Sequence, residues 1–257
     1  MKKAIVIGGG ISGLCVSYFL KNKFELLLLE QNDYIGGHSH THTIYENNKV
    51  FNFDSGFIVF NNLNYQNYIK ILKENNIEYE KSNMSFSVIN DEENYEWAGK
   101  NIKTIFDLSN IFTLRYWKVL AGILKLNFII KNKKKTNNSI TVDQFLRKYH
   151  FNDEFINLYF LPMCSSIWSS NFQDIKNYGA KFVINFFENH GLCNILKKRP
   201  IWMTIKNGSS QYVKKIVSKI GENNCLLNSE VINIDQDNKI VKCSNDKEYK
   251  YDILILC

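Results

Sequence analysis

The chain has 257 residues, 45% of them hydrophobic and 22% charged, with only two prolines. That much apolar material over this length builds a real core, which excludes a disordered tail, a collagen-like repeat and a peptide-sized scaffold. Lys and Arg outnumber Asp and Glu by 32 to 25, a net +7 that favours anionic partners such as nucleotide phosphates or lipid headgroups without selecting one.

In chain order, the first element is Ala4 to Ile7, a short β-branched run of the kind a buried parallel strand shows. Gly8, Gly10 and Gly13 follow at once in the spacing GxGxxG. Ile11, Leu14, Cys15, Tyr18 and Phe19 then fall on one face of a helix. A second apolar run, Leu26 to Leu29, ends in Glu30, twenty residues after Gly10. Strand, glycine turn, helix, strand and acid in this order predict a dinucleotide site. Gly8 permits the tight turn, Gly10 lets a diphosphate approach the backbone, and Gly13 lets helix and strand pack closely. Glu30 is expected to accept hydrogen bonds from the ribose hydroxyls and to repel a 2′-phosphate, so NADP is disfavoured.

His38, His40 and His42 alternate and on a strand would share a face, yet no carboxylate or cysteine is spaced to complete a metal site; no metal is expected. Six cysteines, at 15, 164, 193, 225, 243 and 257, include no CxxC pair, which argues against a zinc cluster or disulfide framework and for a reducing compartment. The apolar run before Gly8 is too short for a signal peptide, so a cytoplasmic protein is expected.

From Asn61 onward the period becomes helical, as at Tyr65, Tyr68, Ile69 and Leu72, closed by Asn75-Asn76; Met84 to Ile89 then alternates like a strand. The most apolar window, 111–130, is broken by Arg115, Lys118 and Lys125, which share a helical stripe with Gly122. Such charges preclude a membrane span. The window reads either as a helix buried in its domain with the cationic stripe in water, or, with the lysines that follow, as peripheral contact of 111–135 with the inner face of a membrane.

Thr141 to Gln144 is a capping box, and Asn152 can cap a further helix that should stop before Pro162. Trp168 reads more readily as core than as cavity wall. His190, followed by Gly191 as helix terminator, is placed in a last turn where the dipole favours a cation; Trp168 and His190 are the only catalytic candidates. Trp202 to Ile205, a helix through Tyr212, Val213, Ile216 and Val217, and strands near 230–234, 240–243 and 251–257 return the chain to the nucleotide-binding unit. Because the last strand stops in mid-run, a missing C-terminal part is expected.

Gly36-Gly37-His38 follows Glu30 after five residues, and Asp54-Ser55-Gly56 follows the aromatic run Phe51 to Phe53. With these the sequence resembles the flavin amine oxidase superfamily. Through GGHSHTH, DSGFIVFN, MSFSV, EWAG, LPMCSSIWSS and NHGL it is most similar to a bacterial amine-oxidase-like NAD/FAD-binding branch. The resemblance implies an α/β fold: a Rossmann-like FAD-binding domain of glutathione-reductase-2 type (1–60 and 200–257) with an inserted α+β substrate domain (61–199). It implies that Ser12, Glu30, Gly36, Gly37 and His38 lie along the FAD diphosphate and ribose. Gly56 and Phe57 would approach the flavin, and Val231 would offer its backbone to adenine. His38 departs from the family, where Arg is usual and presents five donors instead of one.

The expected function is an FAD-dependent oxidoreductase passing a hydride equivalent to flavin, on a hydrophobic or lipid-like small molecule. Two rivals remain. One is an NAD-dependent dehydrogenase, disfavoured by Gly36-Gly37 and Asp54 to Gly56; the other is a non-catalytic module like the GDP-dissociation inhibitors. Nucleic acid is not expected as a partner, since no reader motif accompanies the lysines.

Overall fold

The computed structural model describes residues 1–84, 86–91, 95–98, 112–132, 140–192 and 200–257. They form two compact units, Met1–Ser82 with Trp202–Cys257, and Asn83–Ile201.

In the first unit, β1 (Lys3–Ile7), α1 (Ile11–Leu20) and β2 (Glu25–Leu29) fall where the sequence predicts. The buried stripe of α1 differs, comprising Gly13, Leu14 and Ser17, while Ile11 and Phe19 are exposed. Gly13 and Ser17 let the helix approach the sheet closely, Leu14 fills the contact, and Cys15 and Tyr18 of the predicted face pack half-buried against the same core. Next, β3 (Thr41–Glu46) and β4 (Lys49–Asp54) form an antiparallel hairpin. Asn47 and Asn48, at φ 48° and 60°, make the two-residue turn, a signal that a reading of Phe51 to Phe53 alone overlooks. β5 (Phe60–Asn61), α2 (Gln66–Glu74) and β6 (Tyr79–Lys81) complete this segment. Asn75 caps α2 and Asn76 takes φ 53°, as the Asn-Asn pair predicts.

The second unit begins with the hairpin of β7 (Ser87–Asn90) and β8 (Tyr95–Ala98), and continues in α3 (Leu114–Lys131), capped by Thr113. Here the expected stripe divides: its lysines at 118 and 125 stay exposed, as the buried-helix reading has them, while its glycine turns inward. Gly122 is buried, and a Cβ there would fall on the Phe155 ring. Lys118 pairs with Glu154 at 2.5 Å and Lys125 donates to the His150 carbonyl at 3.0 Å. The glycine face turns inward because only an absent side chain seats Phe155, and the lysine stems wrap its margin. Beside these lysines the exposed surface of the helix also carries Leu114, Trp117, Leu124 and Phe128. Ile111 and the lysines at 133–135, assigned to the same membrane contact, lie outside the described residues. Among the described residues no helix is long and apolar enough to cross a membrane.

α4 (Val142–Lys148) carries the predicted capping box at Thr141 and Gln144, and Asn152 caps α5 (Asp153–Phe155). The chain does not stop before Pro162, as its sequence suggests. A π-helical turn over Ile156–Phe160, closed by Leu161 N–H to the Ile156 carbonyl, leads straight into α6 (Leu161–Trp168). Proline, lacking an N–H, is tolerated within the first turn of the new helix, where that donor would be unpaired in any case. α7 (Phe172–Asn177) and α8 (Ala180–Asn189) follow. As predicted, Gly191 ends α8 at φ 65°, with Gly191 N–H to the Glu188 carbonyl (3.1 Å) and Leu192 N–H to that of Phe187 (3.0 Å). The core is a relay of rings, Phe145, Phe151, Phe155, Phe160 and Phe187, with successive centroids 4.9–5.9 Å apart.

The chain re-enters the first unit through β9 (Trp202–Ile205), which pairs antiparallel with both β5 and β6. Residues 61–82 therefore fold with this unit rather than with the insertion to which their helical period assigns them, and Ile69, Ile71 and Leu72 join its core. α9 (Ser210–Ile220), β10 (Cys225–Leu226), β11 (Val231–Asp235), β12 (Ile240–Cys243), β13 (Glu248–Lys250) and β14 (Ile253–Leu256) end the chain. The parallel sheet runs β10-β2-β1-β14, and β11-β12-β13 form a separate antiparallel sheet.

Candidate functional site

Pairing of Ile7 with Leu29 brings Gly8 and Glu30 level at the carboxyl end of the parallel sheet, where open α/β sheets bind ligands. Gly8 takes φ 103°, a conformation glycine supplies without strain, and its N–H bonds the Leu29 carbonyl at 2.8 Å. A Cβ on Gly13 would sit on the Gly8 carbonyl oxygen, so the third glycine does what close helix–strand packing demands. Gly10 is different: a Cβ built there meets nothing within 4 Å. The Glu30 side chain is buried, with Oε2 accepting from Gly9 N–H (2.7 Å) and Oε1 from the Asn32 backbone (2.9 Å) and side chain (2.7 Å).

Gly36 N–H bonds the Gly9 carbonyl at 2.9 Å, which folds the Gly36–Ser39 loop over Gly10. A Cβ on Gly37 would stand 3.1 Å from the Gly10 Cα. Gly56 lies under the same loop, where a Cβ would strike the His38 carbonyl, and Phe57 N–H bonds that carbonyl at 2.7 Å. Asp54 anchors the start of α9, where it accepts from Ser209 N–H (3.0 Å) and Ser209 Oγ (2.8 Å), and it also accepts from Thr41 Oγ1 (2.5 Å).

These elements enclose a cavity of about 400 Å³. Of the residues singled out in the sequence, Gly10, Ser12, Gly13, Gly36, Gly37, His38 and Phe57 line it. Gly8, Glu30 and Gly56 stand behind them as supports. Val231, half-buried at the start of β11, lies two residues beyond Ser229, whose N–H bonds the Glu30 carbonyl at 2.8 Å. Ser39, Tyr65, Tyr68 and Tyr212 also line the cavity and escape the sequence reading. Tyr65 and Tyr68 are visible there only as helix-face residues, and nothing local in sequence ties Tyr212 to the glycine loop.

His40 and His42 lie tilted at 4.4 Å, His40 stacked on Tyr34 and His42 on Phe53, and His42 Nε2 meets Ser55 Oγ at 2.9 Å. His38 is apart from them in the loop turn, so the three do not converge. Among the described residues no three His, Cys, Asp or Glu side chains are grouped as a metal would need.

The two catalytic candidates lie in the second unit. Trp168 is half-buried against Tyr178, Phe182 and Phe186 at 5.0–6.0 Å. His190 stacks on Phe186 at 3.8 Å and its Nδ1 is 3.0 Å from the Phe186 carbonyl. Burial holds the imidazole below its usual value, against a smaller upward pull from that carbonyl. The dipole argument for a cation is outweighed.

The cavity suits a diphosphate. The first turn of α1 carries no acid, Ser12 and Gly13 present N–H groups of the kind a helix leaves unpaired, and the open side of Gly10 leaves room for an anion's approach. Residues 6–74 match the family model described as NAD(P)-binding Rossmann-like domain. A search of curated proteins finds no match. Among solved structures, cyclohexylamine oxidase from Brevibacterium oxydans is similar over 99% of this chain and 57% of its own, at 19% identity and TM-score 0.71. The CLA-producing fatty acid isomerase from P. acnes is similar over 99% and 58%, at 16% and 0.67. Reduced UDP-galactopyranose mutase is similar over 100% and 55%, at 17% and 0.64. The chain therefore has a Rossmann-like α/β fold, the fold of these solved structures. It spans less than three fifths of the length of these structures.

Proposed function

We propose that the first unit binds FAD and that the chain forms the cofactor-binding part of an FAD-dependent oxidoreductase acting on a hydrophobic small molecule. The observation that carries this is the glycine pair: Gly37 abuts Gly10 while the remaining side of Gly10 is open, beside an acid-free helix start. In this reading Gly10, Ser12, Gly13, Gly36, Gly37 and His38 hold the diphosphate. Glu30, fixed by Gly9 and Asn32, faces the ribose, and Val231 borders the adenine. Phe57 and the tyrosines form an apolar wall that excludes water from the flavin side. When bound, FAD supplies the hydride acceptor. The hydrophobic substrate is supported by that aromatic wall and by the cyclohexylamine and fatty acid for which two of the structural neighbours are named.

The decisive measurement is the absorption spectrum of the purified protein, before and after incubation with FAD. Bound flavin shows bands near ~375 and ~450 nm, a property of the cofactor. A folded protein that is colourless and takes up no FAD overturns this reading and leaves the NAD-dependent dehydrogenase and the non-catalytic binding module as the alternatives.

A further inference from the structure

Ser39 and Tyr212 are 173 residues apart in sequence, yet their hydroxyl groups are hydrogen-bonded and both side chains are buried. Tyr212 lies in the first turn of α9, and that turn is clamped. Asp54 holds the Ser209 N–H, while Thr41 Oγ1 accepts from Ser210 N–H at 2.9 Å. The phenol is thus delivered at a fixed height to the loop that carries Gly36, Gly37 and His38.

The loop needs such a hold. Gly36 and Gly37 both take positive φ, 128° and 58°, and glycines are the residues that lose most freedom on ordering. Backbone hydrogen bonds fix the loop from Gly36 N–H to Gly9 and from Ser39 N–H to the Gly36 carbonyl, with the His38 carbonyl accepting from Phe57. Ser39 Oγ adds a side-chain tether, and its partner comes from a distant part of the chain.

The neighbouring phenol supports the same arrangement. Tyr68 meets Tyr212 edge-on at 5.4 Å, and its hydroxyl is buried beside that of Tyr212 without a hydrogen bond of normal geometry. Burial pushes the Tyr212 phenol up to about 12 and the Tyr68 phenol higher still, so both stay protonated donors. Either hydroxyl can donate in the Ser39–Tyr212 bond, and both side chains also line the cavity.

We infer that Tyr212 is a positioning residue for the ligand of this cavity: through its hydrogen bond to Ser39 it holds the Gly36–His38 loop in the form that receives an anionic group. The inference rests on the FAD reading above. It is tested by titrating FAD into wild type, Tyr212→Phe, Ser39→Ala and the double variant. Each single change should weaken FAD binding about 3- to 10-fold. Both should shift the bound-flavin spectrum alike, while the thermal midpoint of the unloaded Tyr212→Phe protein stays close to wild type. Because the two act through one bond, the double variant should be no weaker than the weaker single variant. Losses that multiply in the double variant, or wild-type affinity in Tyr212→Phe, overturn the inference. If Tyr212→Phe does not fold, Ser39→Ala against Ser39→Thr decides, since threonine restores the hydroxyl; absence of rescue overturns it too. A wild type that binds no FAD removes the cofactor reading itself, an outcome distinct from additive variants of a protein that does bind.

Discussion

The two units are held by different kinds of constraint. In the first, backbone meets backbone: Gly13 on the Gly8 carbonyl, Gly56 under that of His38, Gly37 against Gly10. One residue type satisfies each of these contacts. In the second, rings meet rings, from Phe145 through Phe155 to Phe187, and any set of similar volume that fills the space serves nearly as well. A backbone contact leaves a signature in sequence because it admits no synonym. A packed core does not.

That contrast can be broken at specific positions. The largest effect is expected at Gly13→Val, where the new side chain must displace the Gly8 carbonyl. Unfolding in urea should show a loss of about 3 kcal/mol or more. Gly10→Val, three residues away at φ −69° and facing open space, should keep its midpoint within a few degrees and, on the proposed FAD reading, fail to bind FAD. A Gly10→Val protein that stays yellow would show that no phosphate passes there. Smaller is Phe155→Leu, about 1–2 kcal/mol, because the surrounding rings can partly close the gap. A cost as large as that of Gly13→Val would erase the distinction drawn between the units.

The smallest effect concerns pH. Burial lowers the folded-state value of His190 from 6.5, so below pH 6.5 the unfolded chain binds more protons than the folded one and stability falls. His190→Gln should flatten that acid-side decline in denaturation series collected at stepped pH. An unchanged slope would mean that the imidazole is solvated as freely in the native protein as in the unfolded one.

How much of this is legible in the sequence follows the same division. The run from Ala4 to Glu30 can be read almost residue by residue, as can the Thr141 capping box and the Gly191 terminator, because each rests on local backbone requirements. The direction in which α3 turns cannot, since Phe155 on another helix decides it. Pro162 misleads because a π turn supplies a register that proline statistics do not anticipate. Asp54 stands out in sequence as part of a flavin-like segment, yet its carboxylate anchors α9, a partner 155 residues away. The tyrosines of the cavity are hidden for the same reason: their significance depends on which distant segments the fold brings together.

The sheet order also sets a timetable for biosynthesis. β1 emerges first but lies between β2 and β14, and the Lys3 N–H finds its Asp252 acceptor 249 residues later. At ribosomal speeds of about 5–20 residues per second, the amino-terminal strand waits roughly 12–50 s with one edge bare. Meanwhile the insertion, whose helices contact near neighbours in the chain, can condense as it leaves the exit tunnel. Nascent chains stalled before β14 should therefore carry an assembled insertion beside a half-built nucleotide fold, which is the stage at which a chaperone would find an unpaired strand to shield.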